Sequence, residues 1–158
     1  MADIIGDGMT AVVWMLTCAS TSGPTSAEIT AGVQLHTYIT PDGLDIQVTT
    51  DEVDTSALSS TQNTKVPGRR NDSITLTMKD QGRAAAPWST FATRPAGWLV
   101  VRRGVTASTA FTTASKINVY PAQAGDRQDV PSAPNEVLKF QVPLFVTGPV
   151  LDTISPIS

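Results

Sequence analysis

Residues Asn135–Val150 read NEVLKFQVPLFVTGPV. Leu138, Phe140, Val142, Leu144 and Val146 take every second position, with Val137, Lys139, Gln141, Pro143, Phe145 and Thr147 between them. Period two over that length predicts a strand with one dry face and one mostly wet face. Pro143 falls on the wet face, although proline has no N–H for a ladder and is normally kept out of central strands. A bulge or register change there, where the chain leaves the sheet, would accommodate it.

The same alternation recurs upstream. Leu44, Ile46 and Val48 oppose Asp45, Gln47 and Thr49, and Ile74, Leu76 and Met78 oppose Thr75, Thr77 and Lys79. Pro41-Asp42-Gly43 predicts a turn before the first of these strands. Between them, Asp51–Asp72 (DEVDTSALSSTQNTKVPGRRND) reads as a long irregular loop, the protruding tip of a hairpin.

Ala11–Cys18 is a continuous apolar run, suited to a strand covered on both faces. Thr25 and Glu28 have the spacing of a capping box, and Gly32 is placed to stop the short helix they would start. Gln34–Thr40 looks extended. GRAAAPWSTFATRP (82–95) is the candidate for the main helix, with Pro87 in its first turn, Trp88 and Phe91 on one face, and Pro95 as its stop. GWLVVRRG and SKINVYPA read as further strands, and QAGDRQDVPSAPN as a polar loop. Residues 1–9 and 148–158 look like extended arms on one domain spanning 1–158. The alternating positions, with Ala11, Val12, Trp14, Trp88, Phe91, Trp98, Val100, Ile117 and Val119, supply an ample core. The expected architecture is mainly β: an antiparallel sandwich or open barrel with one helix packed on it.

Charged residues make up only 16%, against about 25% in an average domain, and Thr and Ser supply the missing polarity. A surface that is polar but poor in charge suits coverage by partners. Net charge is −3 and the basic residues are scattered, which argues against a protein that grips nucleic acid. Cys18 is the single cysteine, so no internal disulfide is possible. No segment reaches the roughly 18 apolar residues of a membrane span. The apolar Thr10–Ser20 follows Asp3 and Asp7 rather than a basic segment, so synthesis in a cytoplasm is the default expectation.

Little here carries chemistry. His36 is the only histidine and has no HxxxH or HxE spacing around it. There is no GxSxG, GxGxxG or P-loop. Asp51, Glu52 and Asp54 lack the alternating ligands and glycine of a Ca²⁺ loop and read as a solvated acidic stretch. Arg69-Arg70 after Pro67-Gly68 suits either a phosphate or, as preferred, an acidic partner such as Asp51–Asp54 of a neighbouring copy. No catalytic residue, metal or cofactor is expected.

LSSTQNTKVPGRRNDSITLTM, with its order L-x-S-T-Q, P-G-R and S-x-T-L-x-M, resembles the major tail (tail tube) proteins of long-tailed, siphovirus-type phages of actinobacteria. GPTSAEITAGVQLHTYIT, VTTDEVDTS, GWLVVRRG and KINVYPAQAGDRQDVPSAPNEVLKFQVPLFVTGPV agree with that resemblance, from about Trp14 to Val150. It implies two packed β-sheets with a flanking helix, hexameric rings whose inner strands join into one continuous barrel, and stacking of rings into a tube that conducts genomic DNA. It also implies other copies of the chain, a tape measure protein inside the tube, and terminator and baseplate or tip proteins at its ends as partners. Inter-ring contacts would fall on the loop 51–72 (Asp51, Glu52, Asp54, Thr61, Gln62, Pro67, Arg69, Arg70) and on the arms. The lumen would be lined by Asp45, Gln47, Thr49, Thr75, Thr77, Lys79, Lys139 and Gln141. An acidic chain suits a conduit for DNA by repelling phosphate, although Lys79 and Lys139 beside Asp45 leave the sign of that lining open. A tail terminator, or a ligand-binding β-sandwich, stands as the alternative. The sandwich reading would want exposed aromatics on one strand face, whereas Trp14, Trp88 and Trp98 lie in apolar runs or on the candidate helix.

Overall fold

The computed structural model describes residues 2–158; Met1, the first residue of the expected N-terminal arm, lies outside the described residues. Its elements are β1 (Thr10–Met15), α1 (Ser26–Ala31), β2 (Val33–Gln34), β3 (Ile39–Asp54), β4 (Lys65–Lys79), β5 (Ala96–Arg103), β6 (Ile117–Ala124), β7 (Gln128–Val130), β8 (Lys139–Val146) and β9 (Leu151–Ile154). All strands join one antiparallel sheet in the order β2-β1-β5-β6-β8-β4-β3, with β7 beside β8 and β9 beside β6. The expectation of two sheets is therefore corrected to a single curled one. Ile46 and Val48 of β3, at one end of the order, face Val101 of β5 and Tyr120 of β6 across the interior. That is an open barrel.

Side-chain alternation explains the curl. Val12, Trp14, Leu99, Val101, Tyr120, Ala122, Phe140, Val142, Leu144, Ile74, Leu76 and Met78 form the inner cluster. The opposite face of β1, β5 and β6 carries a second cluster, in which Val13, Met15, Val100, Ile117 and Val119 pack under Ile29 of α1 and Leu151 and Ile154 of β9. β1 is thus dry on both sides, as its unbroken apolar run predicts. The outer face of β8, β4 and β3 has no such cover.

The capping box on α1 is present: Glu28 N–H donates to Thr25 Oγ1 at 3.1 Å, and Thr25 N–H donates to Glu28 Oε2 at 2.8 Å. The candidate main helix is not formed. Residues 82–95 hold only a 3-10 turn, Ser89–Phe91. The residue before a proline is pushed out of the α region, and Arg94, before Pro95, stands at φ +52°, so the turn stops there. Phe91 still reaches the core, tilted against Trp14 at 5.4 Å between ring centroids, and Trp88 meets Phe140 edge-on at 5.0 Å.

Gln34–Thr40 is not uniformly extended, since a 3-10 turn covers Leu35–Thr37. Pro41-Asp42-Gly43 is not a turn between strands but a register shift inside β3, between Ile39 and Leu44. Gly43 is required there, because a Cβ would lie 2.3 Å from the Thr77 carbonyl oxygen. The polar loop before β8 contains β7. Val48 and Leu138, expected in the core, are 50% and 61% exposed, because Val48 passes the open end of the barrel and Leu138 precedes β8.

The expected C-terminal arm is also corrected. β8 covers β6 only at Ala122–Ala124, leaving the edge at Ile117–Val119 for β9. Beyond it, Ile157 bridges to Thr25 and accepts from Ser26 N–H at 3.4 Å. The tail therefore closes its own subunit.

Candidate assembly surface

The bare outer face is built by three long strands in fixed register. Asp45 lies beside Thr75 and Pro143, and Gln47 beside Ser73 and Phe145. Thr77 lies beside Gln141 and Gln128, Lys79 beside Lys139 and Val130, and Thr49 beside Asn71. The whole set expected to line a lumen is brought together on this one face. Gln141 Nε2 donates to Thr77 Oγ1 at 3.2 Å and Gln47 Nε2 to Asp45 Oδ2 at 3.2 Å, so the face is mostly hydroxyl and amide. Its charges are Asp45 at one side and the Lys79–Lys139 pair at the other, with Glu136 3.6 Å from Lys139. The acidity of the chain sits elsewhere. Ser73, Gln128, Val130, Pro143 and Phe145 also belong to this face; the alternation of β8 pointed to the last two, but nothing in the sequence announced β7.

Pro143 sits mid-strand, opposite Thr75, with no register break in the β4–β8 ladder. No bulge is needed. Its backbone polar groups face the place where β8 changes partner from β6, ending at Ala124, to β7, beginning at Gln128. Gly125 N–H donates to the Pro143 carbonyl at 2.8 Å, and only the reciprocal bond is lost.

The segment expected as a loop, 51–72, is mostly strand. β3 and β4 continue as a two-stranded ribbon to the Asp54–Lys65 pair, leaving an irregular tip only around 55–64. β8 stops pairing with β4 at Ser73, so Lys65–Asp72 has no ladder partner on that side. A second register shift, between Thr50 and Glu52, places Gly68 and Arg69 opposite Asp51. Asp51, Glu52 and Asp54 lie on β3, Pro67, Arg69 and Arg70 on β4, and Thr61 and Gln62 in the tip, all exposed. Leu58 in the tip is fully exposed, at 108% of its reference area.

The charges of the ribbon are largely used within the chain. Lys65 pairs with Glu52, Asn71 Nδ2 donates to Asp51 Oδ1 at 2.9 Å, and Ser56 N–H donates to Asp54 Oδ1 at 2.8 Å. The Ser56 side chain and then its N–H hold the Asp54 carboxyl below its ordinary range. Arg70 binds Asp72 at 2.9 Å and reaches Asp152 of β9 at 2.7 Å, which raises its already high pKa. An exposed pair such as Lys65–Glu52 contributes about 0–1 kcal/mol, so the ladder rather than that charge pair holds the outer ribbon together. Arg69 has no ion-pair partner among the described residues.

No other cluster competes with this surface. Among the described residues no group of His, Cys, Asp and Glu is arranged to hold a metal, and no helix is long and apolar enough to cross a membrane. The one hydrogen-bonding contact of His36 among the described residues is with the Val12 carbonyl, at 3.4 Å. Cys18 is half-buried, and burial raises its thiol pKa. Arg102, paired in the sequence with the exposed Arg103, is instead buried. It donates to the carbonyls of Ala110, Thr106 and Thr109 at 3.1, 3.1 and 2.6 Å and stacks on Phe111 at 4.2 Å. Burial lowers its pKa, and its role is to fold the Ser/Thr-rich loop back on the sheet.

No curated protein matches the chain. Among solved structures, the sheath/tube terminator of the PVC extracellular contractile injection system aligns with a TM-score of 0.63 at 12% identity, over 96% of this chain and 97% of that one. The tube terminating cap of the anti-feeding prophage aligns with a TM-score of 0.59 at 15% identity, over 97% and 94%. A chain of the anti-feeding prophage baseplate gives 0.52 at 14% identity, over 96% and 98%. At such identities the likeness concerns the fold. A family model described as phage tail tube protein matches residues 1–155, and the chain belongs to that family.

Proposed function

We propose that the protein is the repeating subunit of a siphovirus-type phage tail tube, in which hexameric rings stack and conduct genomic DNA during ejection. The observation that carries this reading is the four-stranded sheet β7-β8-β4-β3, amphipathic and bare on its outer face, with β3 at the end of the strand order. A long unpaired edge is a hazard in an isolated chain. Head-to-tail pairing with a neighbour removes it, and a closed ring of such sheets surrounds a channel lined by Thr75, Thr77, Gln141, Gln47 and their neighbours. The ribbon, which projects beyond the ladder with β8, supplies the contact to the next ring. Tape measure, terminator and baseplate or tip proteins would be its other partners, and assembly would take place in the host cytoplasm.

A terminator that forms one ring and stops is the second reading, favoured by the shared fold with the PVC terminator and the anti-feeding prophage cap. Negative-stain microscopy of the purified protein separates the two. Tubes of uniform width and variable length are expected from a repeating subunit, and single rings at every concentration would favour the terminator.

A further inference from the structure

The open barrel leaves a cleft of about 380 Å³ where β3 faces β5, β6 and β9. Ile46, Val48, Val101 and Tyr120 give it an apolar wall, and Arg103 and Lys116 stand on its rim. Neither cation has a carboxylate partner among the described residues; Lys116 Nζ donates to Ser155 Oγ at 2.9 Å. Such a cleft suits a segment with aliphatic side chains between two acids. Three short stretches of this chain have that chemistry, and Asp42–Asp45 (DGLD) is excluded because its backbone is part of β3, next to the cleft's own Ile46. In Asp51–Asp54 the backbone is locked in the ladder and the acids are held by Asn71, Lys65 and Ser56. In Asp3–Asp7 (DIIGD), Ile4 and Ile5 are 67% and 75% exposed, neither acid is in an ion pair among the described residues, and no strand holds the backbone.

We propose that this cleft receives the Asp3–Asp7 arm of a second copy, with its isoleucines on Ile46, Val48 and Val101 and its acids beside Arg103 and Lys116. Within its own chain Ile4 approaches Gly104, and Asp7 shares a separate cleft with His36, Lys79 and Arg103 without forming an ion pair with either cation. Residues 2–8 bury little there, and Gly8, at φ +69°, is a natural pivot. The inference rests on the reading that copies of the chain assemble, and it identifies one of the contacts.

The test uses full-length protein in a Cys18→Ser background carrying Ile5→Cys and Val48→Cys, both at exposed positions that leave the core intact. Mild oxidation of assembled protein should give a ladder of covalent multimers on a non-reducing gel, absent from dilute protein. Normal assembly without the ladder, or a link confined within one chain in mixed-isotope peptide mapping, would overturn the inference and leave the assembly reading standing. Absence of any assembly would sink both. In a second arm, Arg103→Glu with Lys116→Glu should raise the concentration needed for assembly about tenfold, the sum expected of two rim pairs. Asp3→Lys with Asp7→Lys in the same chain should restore it. Assembly of the charge-reversed chain at the wild-type concentration would overturn the proposal.

Discussion

Pro143 shows how a residue that looks misplaced is resolved by its neighbours. Its ring lies over Gly125, where a Cβ would sit 2.8 Å from Pro143 Cγ and 2.9 Å from Phe145 Cε2. Gly125→Ala should therefore destabilise the subunit by about 1–3 kcal/mol in chemical denaturation, and by less in a Pro143→Ala background, where the ring is gone. An unchanged midpoint would contradict this packing. Arg102 is the other residue whose role is local. Arg102→Leu should cost about 2–3 kcal/mol, because three carbonyls lose their donors, and should strip hydrogen-exchange protection from the loop beyond β5. Nothing in the dipeptide Arg102-Arg103 distinguished the buried arginine from the exposed one. Strand alternation assigns faces, but the cover over a face comes from irregular chain, here the loop that carries Thr106, Thr109, Ala110 and Phe111.

Among the elements, those with strong local rules were legible and those set by tertiary partners were not. The alternation of β3, β4 and β8 and the capping box on α1 are written in adjacent residues. The ribbon was hidden because Asp51–Asp54 and Lys65–Asp72 are polar on both sides, and period two is invisible where neither face is dry. The β9 strand was hidden because its reason to exist is the uncovered edge of β6. For α1, backbone hydrogen bonds from Thr25 and then Ala19 lower the Glu28 pKa. A carboxyl with a depressed folded pKa stabilises fully above its unfolded value, and that contribution fades as pH falls through the folded one. Stability should thus drop on acidification below about pH 4.3, and Glu28→Gln should flatten that part of the profile. At the ribbon, replacing Ser56–Asn63 with Asn-Gly should leave thermal stability unchanged, since the tip touches no core residue, while abolishing the stacking of rings. Tubes of normal length from this variant would show that the tip makes no inter-ring contact.

At the scale of the whole molecule, one curled sheet serves two solvents. Its inner face and half of its outer face are dry, while the outer face of β8, β4 and β3 is hydroxyl- and amide-rich and bare. The alternation in the sequence already separated these faces. What it could not give was the closing of the C-terminal tail onto its own subunit, which leaves the ribbon and the N-terminal arm as the segments free to reach a neighbour. The most direct test is electron cryomicroscopy of the assembled protein at side-chain resolution. The expected map shows a closed inner barrel in which β3 of each copy pairs with its neighbour and Thr75, Thr77 and Gln141 point into the lumen. A map in which these residues face outward or lie against another subunit, with the channel lined by other strands, would contradict it.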